Sequence, residues 1–347
     1  MTPSSSGSYT TSFHSSTHSF VVPEGVTEIA YELAGGGGGL SLGGSLAQDT
    51  QAGSGDLITG MISVVPGMVL DLVVGNGGIG VGNSGTENPA GILVRGGSGF
   101  GKGGDVQLGD VACRYSGASG GGGSAILVRS VDSPDTSVPL VIAGGGGGSG
   151  GIWLNSSPED DASVTALPHG GDGGLEADQG NDATLLLGAK GIDQHANGGR
   201  GAAGATPGNQ PNAGQSQAEG SDSEGHFINY GLNGGEMVAG KGGAGADGRQ
   251  SATVVSASGG LTYTVTSGGA GGGYAGGASG DATAYVFPPR YVGLGAGGGG
   301  GGSSFVTPDT VDGAVVLTSD HTKAGNQATQ PNKRMPGWLA LTYYECV

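Results

Sequence analysis

Val138-Pro139-Leu140-Val141-Ile142-Ala143-Gly144-Gly145-Gly146-Gly147-Gly148 joins two kinds of chain. The first part is apolar and β-branched, as a strand requires. The second has no side chains to bury and loses more conformational entropy on ordering than any other residue type. Such a run stays ordered only where its N–H and C=O groups find partners. Without Cβ atoms, extended backbones can approach one another closely. A left-handed three-residue helix of the polyproline type points its backbone groups sideways at ~3.1 Å per residue. Several of these side by side can hydrogen-bond into a bundle whose core is backbone. Flexible glycine linkers are the alternative; they fit less well, because glycine tracts follow strand-like segments along the whole chain.

The same junction recurs. Val26-Thr27-Glu28-Ile29-Ala30-Tyr31-Glu32-Leu33 has a period of two and runs into Gly35-Gly36-Gly37-Gly38-Gly39. Thr27, Ile29, Tyr31 and Leu33 share one face, the mark of a half-buried strand. Pro23-Glu24-Gly25 before it and Pro66-Gly67 later are turn signals. Residues 57–65, 68–74, 124–131, 139–143, 314–318 and 338–344 read as strands, and 252–255 with 261–266 as a hairpin. Gly297-Gly298-Gly299-Gly300-Gly301-Gly302 leads into Ser303-Ser304-Phe305-Val306. Gly and Pro interrupt nearly every helical window. The expected fold is mostly β with very little helix: short β-strands packed with a bundle of polyglycine II helices and long loops. Residues 1–18 read as a polar arm and 19–347 as a single glycine-rich domain. Its acidic middle, 152–250, reads as loops joining short glycine-rich segments.

Glycine supplies 83 of the 347 residues, and 12 basic against 29 acidic residues give a net charge of −17. Phosphate backbones and anionic lipid surfaces call for Lys and Arg clusters, so nucleic-acid and membrane-surface binding are disfavoured. No apolar run approaches the ~18–20 residues that span a bilayer. The first twenty residues have no basic start and no apolar stretch, so no secretory signal is expected. Cys113 and Cys346 are too few for a disulfide framework and read as reduced thiols.

Chemistry-bearing motifs are weak. Gly75-Asn76-Gly77-Gly78-Ile79-Gly80 fits the dinucleotide fingerprint, but no helix signal follows it, and a glycine-rich chain produces such matches by chance. In Gly96 to Lys102, Gly103 stands where a phosphate-binding loop needs Ser or Thr. His14 and His18 have ligand spacing on a poor helix and lack a third ligand. Glu159, Asp160, Asp161 and Asp172 read as a solvated acidic loop rather than a calcium site. No Ser–His–Asp or paired-carboxylate arrangement stands out. The chain is expected not to be an enzyme and to hold no cofactor or metal. Trp153, Tyr274, Tyr285, Phe287 and Tyr291 lie beside glycine tracts or in short loops. Flat rings there suit contact with sugar or protein, or else act as staples over the glycine layer.

The stretch from Phe20 through Thr27 into Gly35–Gly39 resembles the opening of glycine-rich domains in bacteriophage tail and bacterial surface proteins. Gly120 to Ala125, Val138 to Gly148, Gly271 to Gly277 and Gly302 to Val306 are similar to the glycine-rich extracellular domain of anaplastic lymphoma kinase and leukocyte tyrosine kinase receptors. The resemblance covers about residues 18–344 and implies strands packed with polyglycine helices. The receptors' cysteines, transmembrane helix and kinase domain have no counterpart here, so their signalling does not carry over.

What the resemblance implies is a virion component made in the host cytoplasm: a minor tail protein of the tail tip or fibre, with a host-surface adhesin role. Its partners would be other tail proteins and a host cell-surface glycan or protein, with no nucleic acid and no membrane insertion; a homo-oligomer is compatible. The alternatives are a purely structural decoration or joining protein, and a cell-surface glycine-rich ligand-binding protein.

Overall fold

The computed structural model describes residues 7–14, 16–41, 50–80, 92–108, 116–155, 162–181, 183–187, 192–196, 227–229, 234–236, 242–248, 254–255, 262–287 and 291–345. Among them there are strands but no helix. In chain order these are β1 Gly7–Phe13, β2 Ser16–Val21, β3 Glu28–Ala34, β4 Asp56–Ser63, β5 Val69–Val74, β6 Leu93–Val94 and β7 Val106–Gln107. Next come β8 Ser124–Arg129, β9 Ser137–Ala143, β10 Ile152–Asn155, β11 Ala162–Ala166, β12 Ala183–Leu187, β13 Ile192–Ala196 and β14 Phe227–Asn229. The last are β15 Val254–Val255, β16 Thr262–Tyr263, β17 Ala282–Phe287, β18 Tyr291–Ala296, β19 Phe305–Val306, β20 Val315–Lys323 and β21 Trp338–Glu345.

Two five-stranded antiparallel sheets, ordered β1-β21-β3-β4-β20 and β19-β9-β8-β5-β2, share one hydrophobic core. The period of two does its expected work. Ile29, Tyr31 and Leu33 of β3 are buried, as are Leu70, Leu72 and Val74 of β5. They meet Ile58 and Ile62 of β4, Ile126 and Val128 of β8, Leu140 of β9, and Leu339 and Leu341 of β21. The Pro-Gly turns form where expected, with Gly25 at φ +80° and Gly67 at φ +83°, a region that side chains rarely adopt. Strand β8 is buried on both faces. Its outer residues Ala125 and Leu127 pack with Ile142, Phe100 and Tyr274.

Two expectations need correction. The polar arm is sandwich edge from Gly7 onward: β1 pairs with β21 from Gly7↔Glu345 to Phe13↔Leu339, and β2 pairs with β5. Its Ser, Thr and Tyr residues supply one ladder and a solvated face, which local sequence does not distinguish from an arm. The middle is not loop alone either, since β10 to β14 lie within it. Strands β11, β12 and β13 form one antiparallel sheet, and β10-β18-β17-β14 another.

At one end of the sandwich, β3, β5 and β9 run directly into glycine tracts, which are neither helix nor strand. Their backbone bonds nevertheless follow a rule. Ala118 and Gly121 donate to Ser149 and Gly146, Ser119 and Gly122 to Ile79 and Asn76, and Gly120 and Gly123 to Gly104 and Gly101, at 2.8–3.0 Å. The partner changes with every residue and returns on the third. Gly145 and Gly148 likewise donate to Gly272 and Gly269, while Gly146 and Ser149 donate to Gly36 and Gly39. Gly297, Gly300 and Ser303 donate in turn to Asp281, Ala278 and Ala275. Parallel and antiparallel neighbours occur side by side. A Cβ on Gly146 would overlap the Gly53 carbonyl and come 2.8 Å from Ser54 O.

Where serine or asparagine interrupts a tract, the side chain takes over a backbone bond. Ser124 Oγ donates to Ala34 O and accepts from Gly75 N, tying the ends of β3, β5 and β8 together. The buried Asn326 amide donates to Gly35 O and Pro336 O and accepts from Gly55 N, standing in for a peptide between two tracts.

Candidate functional site

Among the described residues, a polar cleft of about 530 Å³ lies where residues 51–54, 169–181 and 323–327 meet. Its walls are fixed by backbone. Gly170 N donates to Gln51 O, Gly173 N to Ser54 O, Asn181 N to His169 O, and Ala324 N to Gly55 O. Gly171 N reaches Gly299 O and Gly298 N reaches Asn181 O, which anchors the walls in the glycine layer. Its volume falls within the ~300–1,000 Å³ common for ligand sites.

The charges in the cleft satisfy one another. Lys323 Nζ pairs with Asp172 Oδ2 and lies 3.3 Å from Asp178 Oδ2, and Asp172 Oδ1 accepts from Ser54 N at 2.6 Å. The hydrogen bond to Asp172 holds the Lys323 ammonium above the usual lysine range, against partial burial. His169 Nδ1 accepts from Gln51 N at 2.8 Å, so its Nε2 carries the proton of the neutral ring. Burial lowers its pKa, which favours the neutral ring. Asp172 of the acidic group thus lies in the cleft, paired with a lysine; Glu159, Asp160 and Asp161 lie outside the described residues.

A Ser, an Asp and a His do come together elsewhere. Buried Asp56 Oδ2 accepts from Ser304 Oγ at 2.6 Å and contacts His321 Nδ1 at 2.8 Å, while Ser304 Oγ accepts from Gly144 N. In a nucleophilic triad the imidazole stands between hydroxyl and carboxylate. Here the carboxylate stands between the other two, so no imidazole is placed to take the Ser304 proton. The cluster ties β4 and β20 to the start of the 144–149 tract. Sequence reasoning missed it because its members are more than 240 positions apart on one side of the network.

Of the five aromatic residues, Tyr274 alone has a described side chain. Tyr274 is buried and stacks on Phe305, with centroids 4.3 Å apart and planes 9° apart, against the outer face of β8 and β9. That is the staple arrangement. The backbone of Trp153, Tyr285, Phe287 and Tyr291 lies in β10, β17 and β18, and their side chains lie outside the described residues. Phe287 pairs with Tyr291 and Tyr285 with Gly293, whereas Trp153 pairs with Leu294, a register position of the opposite parity.

The remaining motifs resolve as structure. Gly75 to Gly80 is a strand exit into the glycine layer, where Asn76 N donates to Ser98 O and Gly78 N to Gly37 O. Lys102 pairs with Asp105. His18 sits on β2 with its ring tilted against Phe13. Among the described residues no three His, Cys, Asp or Glu side chains are grouped to hold a metal ion. The chain matches no family model and no curated protein.

Proposed function

We propose that the chain is a minor tail protein of a bacteriophage, located at the tail tip or on a fibre, in which a polyglycine II bundle is a rigid scaffold for contact with the host surface. The bundle part rests on the three-residue return of hydrogen-bond partners, which is what threefold left-handed helices packed side by side would produce. The binding part rests on a single observation: a polar cleft whose walls are backbone-bonded into that layer and whose amide side chains are uncommitted. A rigid frame lowers the entropic cost of ordering a site on binding. The acidic surface suits contact with uncharged or cationic groups better than with phosphate-rich ones.

Fluorescently labelled protein incubated with a panel of bacterial cells and isolated envelope fractions tests the reading. Saturable binding to one host supports an adhesin. A well-folded sample that binds none of them moves the reading to a structural decoration or joining protein of the virion.

A further inference from the structure

We infer that the cleft at residues 51–54, 169–181 and 323–327 is a binding site for a neutral saccharide unit. This rests on reading the chain as a binding scaffold and adds the ligand class and the residues that select it. Among the described residues, the side-chain amides of Gln51, Gln179, Asn181 and Gln327 have no hydrogen-bond partner, and all four line the cleft. Each primary amide offers donors and an acceptor together, the combination that a hydroxyl, itself donor and acceptor, satisfies best. His169 adds an Nε2–H donor, because its Nδ1 is already used by the Gln51 N–H. Gln327 Oε1 is buried without a partner. Turned toward the cleft, that oxygen would accept from a ligand hydroxyl.

Other ligand classes fit less well. An anion would look for a cation, yet Lys323, the one cation among the lining residues, is held by Asp172 and Asp178. A cation would have to displace Lys323 from the same two carboxylates. An apolar ligand would find Ala52 and glycine backbone but no large aliphatic, Phe, Tyr or Trp side chain in the lining. The lack of a Phe, Tyr or Trp ring also means that one sugar binds weakly here. Useful avidity would then come from many sites on one particle or many sugars on one surface.

The test uses the full chain labelled with ¹⁵N at histidine, titrated with glucose, galactose, N-acetylglucosamine and a neutral dextran oligosaccharide. Glucuronic acid and putrescine are the charged controls. The inference expects saturable movement of the His169 imidazole signals with at least one neutral saccharide. It also expects Gln179→Ala and Asn181→Ala each to weaken that binding roughly five- to tenfold, the loss of about one hydrogen bond, with unchanged Tm. Movement with glucuronic acid or putrescine alone overturns it, as does no movement with any probe. A neutral-sugar response that both variants retain at full affinity overturns the assignment to this cleft.

The same variants on whole cells keep the two readings apart. If the parent protein and both variants bind cells equally, adhesion stands and the cleft is not its site. Saccharide binding at the cleft without any cell binding supports the inference and removes the adhesin reading.

Discussion

The sandwich and the glycine layer are two solutions to one problem in a single chain. In the sandwich, Ile126, Leu72 and Leu339 fill a core between sheets, and stability comes from apolar surface removed from water. In the glycine layer there is almost nothing apolar to remove. There the chain is held by N–H···O=C bonds that turn to a new neighbour at each residue, and backbones lie so close that a methyl group has no room. The two regions should therefore be sensitive to opposite changes in side-chain size. Removing carbon damages the sandwich; adding it damages the layer.

Gly146→Val should have the largest effect. Its Cβ would enter the Gly53 carbonyl, so the expected loss is about 5 kcal/mol or more, enough to prevent folding. Unchanged thermal stability would mean that the tracts do not pack backbone to backbone. Ile126→Ala, in the sandwich, should cost about 3–4 kcal/mol by cavity formation, measurable by chemical denaturation. Alanine at both positions sharpens the contrast: one added methyl at Gly146 should cost more than the side-chain carbons lost at Ile126.

A smaller effect comes from the side chain that imitates backbone. Asn326→Ala removes three hydrogen bonds to main-chain groups, two of them buried, and should cost about 2–3 kcal/mol. Asn326→Asp keeps the acceptor for Gly55 N but loses both donors, so thermal denaturation should place it at or below the alanine variant at neutral pH.

The smallest effect belongs to the sandwich surface. Burial pushes the Asp71 carboxyl up, but hydrogen bonds from Arg129, Ser137 and Ser19, with the Arg129 charge, outweigh it and hold its pKa below the ordinary value. A depressed folded-state pKa gives stability that is present above the unfolded value and lost as pH falls through the folded one. Asp71→Asn should therefore lower Tm slightly at pH 7 and leave it unchanged at acid pH. An equal loss at both would show that the carboxylate charge contributes nothing.

Much of the sandwich is legible in the sequence, because alternation at Ile29-Tyr31-Leu33 and Leu70-Leu72-Val74 encodes burial directly. The turn at Pro66-Gly67 is equally plain. Other features depend on partners far away in the chain. Strand β1 is polar apart from Tyr9 and Phe13 and becomes a strand by pairing with β21 at the other end. The glycine tracts after β3, β5 and β9 are plain in the sequence, but which tract neighbours which is not, since glycine carries no distinguishing side chain. The cleft was hidden for the same reason: Gln51, His169, Asn181 and Gln327 come together only through tracts that look alike. The aromatic residues pointed elsewhere. Tyr274 is a staple, and Trp153 does not share register parity with Tyr285, Phe287 and Tyr291.

Amide hydrogen exchange resolved along the chain tests the backbone-bonded layer most directly. Residues 144–149 and 297–303 should exchange as slowly as the buried strand residues Leu140 to Ala143, because their amides open only when the whole fold does. Exchange of those glycine amides at the rate of an unstructured chain, while β8 and β9 remain protected, would contradict it.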